Sequence, residues 1–170
     1  LLINQRAKMK SAVQQPFVSI GMPVYNGERS LRRALDSLFR QSIGNVEIII
    51  SDNQSMDQTE AICRHYAERD SRVQYIRQPV NIGAMKNFEY VLNKACGKYF
   101  MWAACDDYWS ETFIKQNFDW LESHPDYVGS ISRASNGGEP DPIKSGSTSI
   151  EGATVKARVI QLVREKPGAN

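Results

Sequence analysis

The sequence predicts an α/β fold with a Rossmann-like, doubly wound and mostly parallel sheet. Short β-rich runs alternate four times with amphipathic helical patterns, the second run is almost entirely apolar, and the links between them are short. A continuous apolar run is typical of a strand buried on both faces of a parallel sheet. Because β-then-α units join by right-handed crossovers, four in succession build such a sheet with helices packed on it.

The first two strands are expected at Phe17 to Gly21 and at Val46 to Ile50. A loop is expected from Val24 to Gly27, before the first helix. That helix is indicated by apolar residues at helical spacing: Leu31, Ala34, Leu35, Leu38 and Phe39. The second strand ends in a polar turn that contains Asp52.

The remaining units follow the same alternation. Ser55 or Asp57 is suited to cap the second helix, and Val73 to Ile76 is expected as the third strand. The third helix is striped by Met85, Phe88, Leu92 and Ala95. Tyr99 to Ala103 is the fourth strand, and a fifth is expected within Tyr127 to Ile131. The helix between them is marked by Ile114, Phe118 and Leu121.

The pattern predicts one compact domain over residues 17–133, after an N-terminal tail of residues 1–16. Residues 134–170 are expected to form a loop-rich segment with one amphipathic helix, as the start of an incomplete further region. That helix is indicated by Val155, Val159, Leu162 and Val163.

Composition excludes several classes of protein. The 170 residues carry 21 basic and 19 acidic side chains, a net charge of +2, without the basic face that nucleic-acid binding needs. Three cysteines without C-x-x-C spacing indicate neither a disulfide framework nor a zinc site. No apolar run approaches the roughly 20 residues of a membrane-spanning helix. We therefore expect a cytoplasmic protein, with peripheral association at the inner face of a membrane left open.

Acidic residues follow two strands of the predicted sheet. Asp52 follows the second strand, and Asp106 and Asp107 follow the fourth. Ligands of open α/β sheets bind beyond the carboxyl ends of the strands, so these carboxylates are expected at one rim. Mg²⁺ and Mn²⁺ are commonly held by one or two carboxylates together with substrate phosphates. The pattern therefore favours a cation-bound diphosphate.

Two other interpretations stay open for these acids. Asp106 and Asp107 also suit the cap of the helix that follows, and Asp52 suits a turn that bonds its own backbone. No G-x-G-x-x-G and no G-x-x-x-x-G-K-[ST] occurs in the chain. The first absence argues against a nicotinamide dehydrogenase. Without either glycine loop to bind phosphates, a metal ion is favoured as their partner. A sugar-1-phosphate nucleotidyltransferase would need a Gly- and Arg-rich loop that the first strand lacks.

The motifs together resemble a known family. They are, in chain order, Val18–Glu28, Glu47–Thr59, Asn81–Gly83, Gly97–Tyr99 and Asp106-Asp107. From Phe17 to about Ile131 the chain resembles the family 2 inverting glycosyltransferases of the GT-A fold. The resemblance implies a nucleotide-sugar-binding domain over residues 17–133, with an apparently truncated acceptor-side region after it.

By this resemblance, the following residues line the nucleotide pocket: Pro23, Val24, Tyr25, Asn26 and Glu28. Tyr25 would offer an aromatic face to the base, and Asp52 would accept the ring N–H of a uracil or thymine. Asp106 would bond the ribose hydroxyls. Asp107 would hold the Mn²⁺ or Mg²⁺ that bridges the two phosphates, in a DXD-like motif.

The chain departs from the family's pattern at two places. Phe88-Glu89 stands where the family often has Arg-Asn, and Ala104 where it often has Asp. Lys86 is the candidate to replace the missing positive charge near the phosphates. In the family the general base is a carboxylate well downstream, and none is nominated here. The acids within residues 134–170 are Glu139, Asp141, Glu151 and Glu165.

The reaction implied is inverting, metal-assisted transfer of a sugar from a UDP- or dTDP-type donor. A saccharide or a lipid-linked molecule would be the acceptor, as in bacterial surface polysaccharide assembly. The alternative is a domain that binds the nucleotide sugar without turnover, because the general base is missing.

Overall fold

The computed structural model describes residues 15–127, 129–130 and 160–162. Strands and helices alternate along the chain as the sequence predicts. Their bounds are β1 Val18–Val24, α1 Leu31–Phe39, β2 Val46–Asp52, α2 Thr59–Arg69, β3 Val73–Arg77, α3 Ala84–Lys94, β4 Tyr99–Trp102, α4 Phe113–Ser123, β5 Gly129–Ser130 and β6 Ile160–Leu162. The fifth strand lies inside the range expected for it. In this part of the chain no helix has the length and apolar character needed to cross a bilayer.

The six strands form one sheet in the order β3-β2-β1-β4-β6-β5. The first four are parallel to one another, and β6 runs antiparallel to both β4 and β5. The α/β class and the mostly parallel sheet are therefore confirmed. The chain proceeds from β1 through β2 to β3 on one side and returns to place β4 on the other side of β1. This makes the β1/β4 boundary the point where the strand order reverses, which is where such sheets bind ligands.

Helices cover both faces of the sheet, so the doubly wound arrangement is also confirmed. Ile48 and Ile50 lie in the core shared with apolar residues of α1, α2 and α4. Ile49 points to the opposite face, where it packs with Val91 of α3 and with Phe100. This alternation follows from the two-residue period of a strand, and it explains why β2 is apolar almost throughout.

The first strand is longer than the sequence indicates, because it continues through Pro23 and Val24. Proline has no N–H for a ladder and is usually confined to strand edges and ends. Here β1 pairs with β4 only as far as Gly21, opposite Trp102, while β2 stays paired with β1 to Val24. Pro23 therefore lies beyond β4, where no second neighbour requires its N–H.

The amphipathic helix expected from Val155 to Val163 is wrong at Ile160–Leu162, which form β6. The rest of that stretch lies outside the described residues. β4 would otherwise present an unpaired strand edge, which β6 covers. The antiparallel register sets Met101 opposite Ile160 and Tyr99 opposite Leu162.

The loops after β1 and β2 are joined by hydrogen bonds at the carboxyl edge of the sheet. The Asn26 N–H donates to Ser55 Oγ at 2.8 Å, and the Gly27 N–H donates to Thr59 Oγ1 at 2.8 Å. In return, Met56 N–H donates to Asn26 Oδ1 at 2.9 Å. The two loops therefore form one rigid rim above β1 and β2.

Glu28 and Asp57 extend this connection with their carboxylates. Asp57 accepts hydrogen bonds from the N–H groups of Thr59 at 2.9 Å and Glu28 at 3.1 Å. Burial on its own would raise the pKa of Asp57, but its hydrogen bonds from Thr59 and Glu28 outweigh that effect and hold the pKa below its ordinary value. Glu28 Oε2 accepts from the N–H of Gln58 at 3.0 Å, at the start of α2.

A first prediction concerns the packing of α3 on the sheet. A Cβ added at Gly21 would lie 2.6 Å from Phe100 Cζ and 2.8 Å from Val91 Cγ2, whereas at Gly44 it would meet nothing within 4 Å. We expect Gly21→Ala to lower the free energy of unfolding by about 1–3 kcal/mol, the usual effect of overpacking. Gly44→Ala is the matched control and should leave it unchanged or slightly raised. Chemical denaturation measures both, and equal stability of the two variants would contradict this packing.

A second prediction concerns pH. Because the pKa of Asp57 is lower in the folded chain, its stabilisation is fully present above the unfolded pKa of about 3.9 and is lost as pH falls through the folded pKa. We expect Asp57→Asn to destabilise the chain at pH 7, and the difference from wild type to shrink below about pH 4. Urea unfolding across pH 3–7 measures this. Asp126→Asn, at an exposed aspartate after α4, is the control. If the stability difference between wild type and Asp57→Asn did not change with pH, the stabilising role of the Asp57 carboxylate would be refuted.

Candidate active site

The candidate site lies where the strand order reverses, at the carboxyl ends of β1 and β4. The loop after β4 touches the loop after β1 there: a Cβ placed on Gly27 would lie 3.2 Å from Cys105 Sγ and 2.7 Å from Val24 Cγ2. Only a residue without a side chain allows this approach. The contact brings the segment that carries Asp106 and Asp107 directly against the Val24–Glu28 loop of the rim.

The segment after β4 is held on the first helix. The Asp107 N–H closes a turn on Ala104 O at 3.2 Å, and the Trp109 N–H donates to Ser37 Oγ at 3.2 Å. The guanidinium of Arg33 lies 3.6 Å from the centre of the Tyr108 ring. Asp106 is exposed and Asp107 half-buried, so both carboxylates sit on an anchored turn within reach of solvent.

Asp52 occupies the end of β2, on the other side of β1, and has no exposed surface. Its Oδ1 accepts the Ser55 N–H at 2.8 Å, and its Oδ2 accepts the Tyr75 hydroxyl at 3.0 Å. Arg77 Nε lies 3.7 Å from the same Oδ2. The turn geometry considered for Asp52 in the sequence is therefore present.

Two neighbouring groups are affected by the buried carboxylate. Burial, the hydrogen bond to Asp52 and its negative charge all raise the pKa of Tyr75, so that the hydroxyl stays protonated and donates. Burial, with a contribution from Asp52, raises the pKa of Cys63 to about 12. Cys63 is therefore an inert core thiol.

The residues predicted to line the nucleotide pocket differ in accessibility. Tyr25 is 46% exposed, Asn26 and Glu28 are also exposed, Pro23 is half-buried and Val24 is buried. Asn26 adopts φ 50°, a left-handed conformation that is uncommon for residues other than glycine. Its two hydrogen bonds to the Ser55–Met56 turn hold it there. Such strain is concentrated at functional sites.

Lys86 is exposed in the first turn of α3, which begins directly after the loop at the carboxyl end of β3. It forms no ion pair with the described residues. Phe88, where the family often has arginine, instead lies 6.5 Å from Trp102 between ring centres. The phosphate-facing role of Lys86 stays a prediction.

The loop after β3 is tied to the β2–α2 loop by a network that the sequence did not reveal. Asn53 Nδ2 donates to Asn81 Oδ1 at 2.9 Å, and Asn53 Oδ1 accepts the Ile82 N–H at 2.8 Å. Gln54, with φ 63°, bonds Asn81 N–H at 3.1 Å and the carbonyl of Pro79 at 3.0 Å. The only available signal was a cluster of Asn and Gln after two successive strands, which also reads as ordinary turn chemistry.

A surface opening lies on one flank of this rim. It is a surface cavity of about 490 Å³ lined by Asn26, Glu28, Arg29, Met56 and Asp57. It includes two of the predicted pocket residues but none of the predicted base-binding or metal-binding aspartates. Among the residues that the structure describes, no group of three or more His, Cys, Asp or Glu side chains could hold a metal ion. Any cation here would depend on one or two carboxylates.

The four downstream acids that could include a general base lie outside the described residues. The two histidines are both exposed. His65 contacts Arg69 at 3.1 Å, and His124 stacks on Trp120 with ring centres 4.3 Å apart. Neither belongs to the candidate site.

Solved structures of other proteins share this fold. Staphylococcus aureus TarS, in complex with UDP, aligns with a TM-score of 0.62 and 24% identity over 73% of this chain and 38% of that one. The mannosyltransferase PcManGT from Pyrobaculum calidifontis, in complex with GDP-Man and Mn²⁺, aligns with a TM-score of 0.61 and 20% identity over 69% of this chain and 35% of that one. The GT-A type of α/β sheet implied by the resemblance is therefore confirmed.

Sequence comparison leads to the same family. Glycosyltransferase GlyA of Streptococcus pneumoniae is 33% identical over 58% of this chain and 14% of that protein. The uncharacterized glycosyltransferase EpsJ of Bacillus subtilis is 33% identical over 67% of this chain and 33% of that protein. The chain thus spans a third or less of either relative. The profile described as Glycosyl transferase family 2 matches residues 19–165, so the chain belongs to that family.

Proposed function

We propose that this chain is the donor-binding part of a glycosyltransferase that moves a sugar from a UDP- or dTDP-type donor to a saccharide or lipid-linked acceptor, with inversion and a divalent cation. One observation carries the proposal: the Asp106-Asp107 turn lies against the Val24–Glu28 rim at the point where the strand order of a family 2 sheet reverses. Bound nucleotides in two structures of the same fold support it.

The nucleoside would lie across the ends of β2, β1 and β4. β2 and β4 are two strand spacings apart, about 10 Å, so a base near Asp52 leaves room for a ribose near Asp106. Tyr25, with its half-exposed ring, would stack on the base. Asp52 has no exposed surface, so a neighbouring side chain must give way as the base enters.

Asp107, with Asp106 beside it, fits a hard cation of the Mg²⁺ or Mn²⁺ kind. These ions take oxygen ligands and often use only one or two protein carboxylates, the remainder being water and substrate phosphate. Two adjacent, accessible carboxylates on an anchored turn satisfy that requirement. When bound, such a cation offsets the negative charge that develops on the departing diphosphate.

This chain's own residues would contribute binding and orientation. The rim would fix the nucleoside side of the crevice, because the N–H groups of Asn26 and Gly27 donate to the hydroxyls of Ser55 and Thr59. Lys86 would face the phosphates from the start of α3. The acceptor hydroxyl still needs a base to take its proton, and none of the described residues is assigned to that role. A location at the inner face of a bacterial membrane is part of the same proposal, given the lipid-linked acceptor class.

A third prediction tests the cation site. Asp107→Ala should weaken UDP binding in the presence of Mn²⁺ by about tenfold or more, roughly 1.4 kcal/mol, and leave metal-free binding unchanged. The reason is that the carboxylate acts on the nucleotide through the cation. Isothermal titration with UDP, with and without Mn²⁺, measures this.

Asp126→Ala is the matched control and should bind like wild type in both conditions. The assignment of Asp107 to the cation would be contradicted by either of two results. One is UDP binding by wild type that does not depend on Mn²⁺, and the other is an equal loss of UDP affinity in Asp107→Ala with and without the metal. Binding without transfer is the competing function. Measurable release of UDP from UDP-sugar in the presence of an acceptor sugar would eliminate it.

A further inference from the structure

We propose that Tyr75, assisted by Arg77, is a positioning residue that orients the Asp52 carboxylate as an acceptor on both oxygens and thereby selects a base with a ring N–H. The inference rests on the proposed function, since it concerns how Asp52 recognises the base. Tyr75 belongs to no motif that the sequence singled out, and it does not lie on the rim itself.

The two oxygens of Asp52 are held separately. The backbone N–H of Ser55 occupies Oδ1 at 2.8 Å, and the Tyr75 hydroxyl occupies Oδ2 at 3.0 Å. One bond at each oxygen fixes the carboxylate plane. An ionised carboxylate has about four acceptor positions, so capacity remains for a further N–H. Because the group is fully buried, these bonds are formed away from competing water.

The sheet register explains why Tyr75 reaches this carboxylate. β3 runs parallel to β2, with Tyr75 opposite Ile50 and Arg77 opposite Asp52. The side chains of Tyr75 and Arg77 lie on the same face of the strand because they are two residues apart. Arg77 also donates to Ser55 O at 2.9 Å and pairs with Glu60 at 2.9 Å. It therefore braces both the carboxylate and the turn that donates to it.

The direction of the hydrogen bond between Tyr75 and Asp52 determines which base the site recognises. Its raised pKa keeps the Tyr75 hydroxyl protonated at any working pH, so the hydroxyl donates and Asp52 accepts. A carboxylate fixed as an acceptor receives the N3–H of uracil or thymine. Cytosine presents a lone pair at N3 and is repelled. The arrangement therefore favours UDP or dTDP donors over CDP donors.

The experiment compares UDP with CDP, two pyrimidine nucleotides of nearly equal size, by titration calorimetry with Mn²⁺. Wild type should bind UDP at least tenfold tighter than CDP. Tyr75→Phe keeps the ring and removes the hydroxyl. It should weaken UDP binding by about threefold to tenfold and change CDP binding little, so the ratio of the UDP affinity to the CDP affinity falls. Arg77→Gln changes a partly exposed side chain and should lower the same affinity ratio. It replaces Tyr75→Phe in the test if that variant does not fold.

Tyr66→Phe is the matched control, because the Tyr66 hydroxyl donates to Asp36 at 2.6 Å between α2 and α1, remote from the base. That variant should lose stability but keep the UDP-to-CDP ratio. A wild-type chain that binds UDP and CDP equally would count against Asp52 as the base reader and so against the proposed function. A wild-type preference that survives unchanged in both Tyr75→Phe and Arg77→Gln would overturn the positioning role alone.

Discussion

The structure depends on the place of β1 between β2 and β4. Parallel pairing on both sides fixes the register, with Val24 opposite Asp52 on one side and Gly21 opposite Trp102 on the other. Because the ladders end at different heights, β1 and β2 extend past β4 and leave a step at the carboxyl edge. The loop after β4 returns across that step and meets Gly27. Sheet pairing therefore determines which loops can share a ligand.

The rim above the sheet is rigid because hydrogen bonds join its loops. Asn26 and Gln54 both have positive φ, and each is held by its own side-chain bonds to the neighbouring loop. A non-glycine residue in this conformation costs free energy, and only the surrounding contacts maintain it. The rim is thus held in one conformation by its own contacts, which under the proposed function would reduce the entropy lost when a nucleotide binds.

The sequence was sufficient for the fold because the strands are local and strongly patterned. The apolar run at Val46 to Ile50 and the helical stripe from Leu31 follow from burial, which a single sequence records. The prediction of a helix was wrong at Ile160–Leu162. This segment is a strand because it pairs with β4, about 60 residues earlier in the chain. Of the candidate site, the aspartates were identifiable from their positions after strands. Tyr75 and Arg77 were not, because their role depends on the register of β3 against β2.

In the proposed site, the burial of Asp52 favours recognition of a base. An exposed carboxylate would be solvated, and a base N–H would then gain little by replacing water. A carboxylate already removed from water by the sheet, and held by the Ser55 N–H and the Tyr75 hydroxyl, has been desolvated by folding rather than by binding. In the proposed site, Tyr75 sets the orientation of that carboxylate, and Arg77 braces both the carboxylate and the turn that donates to it.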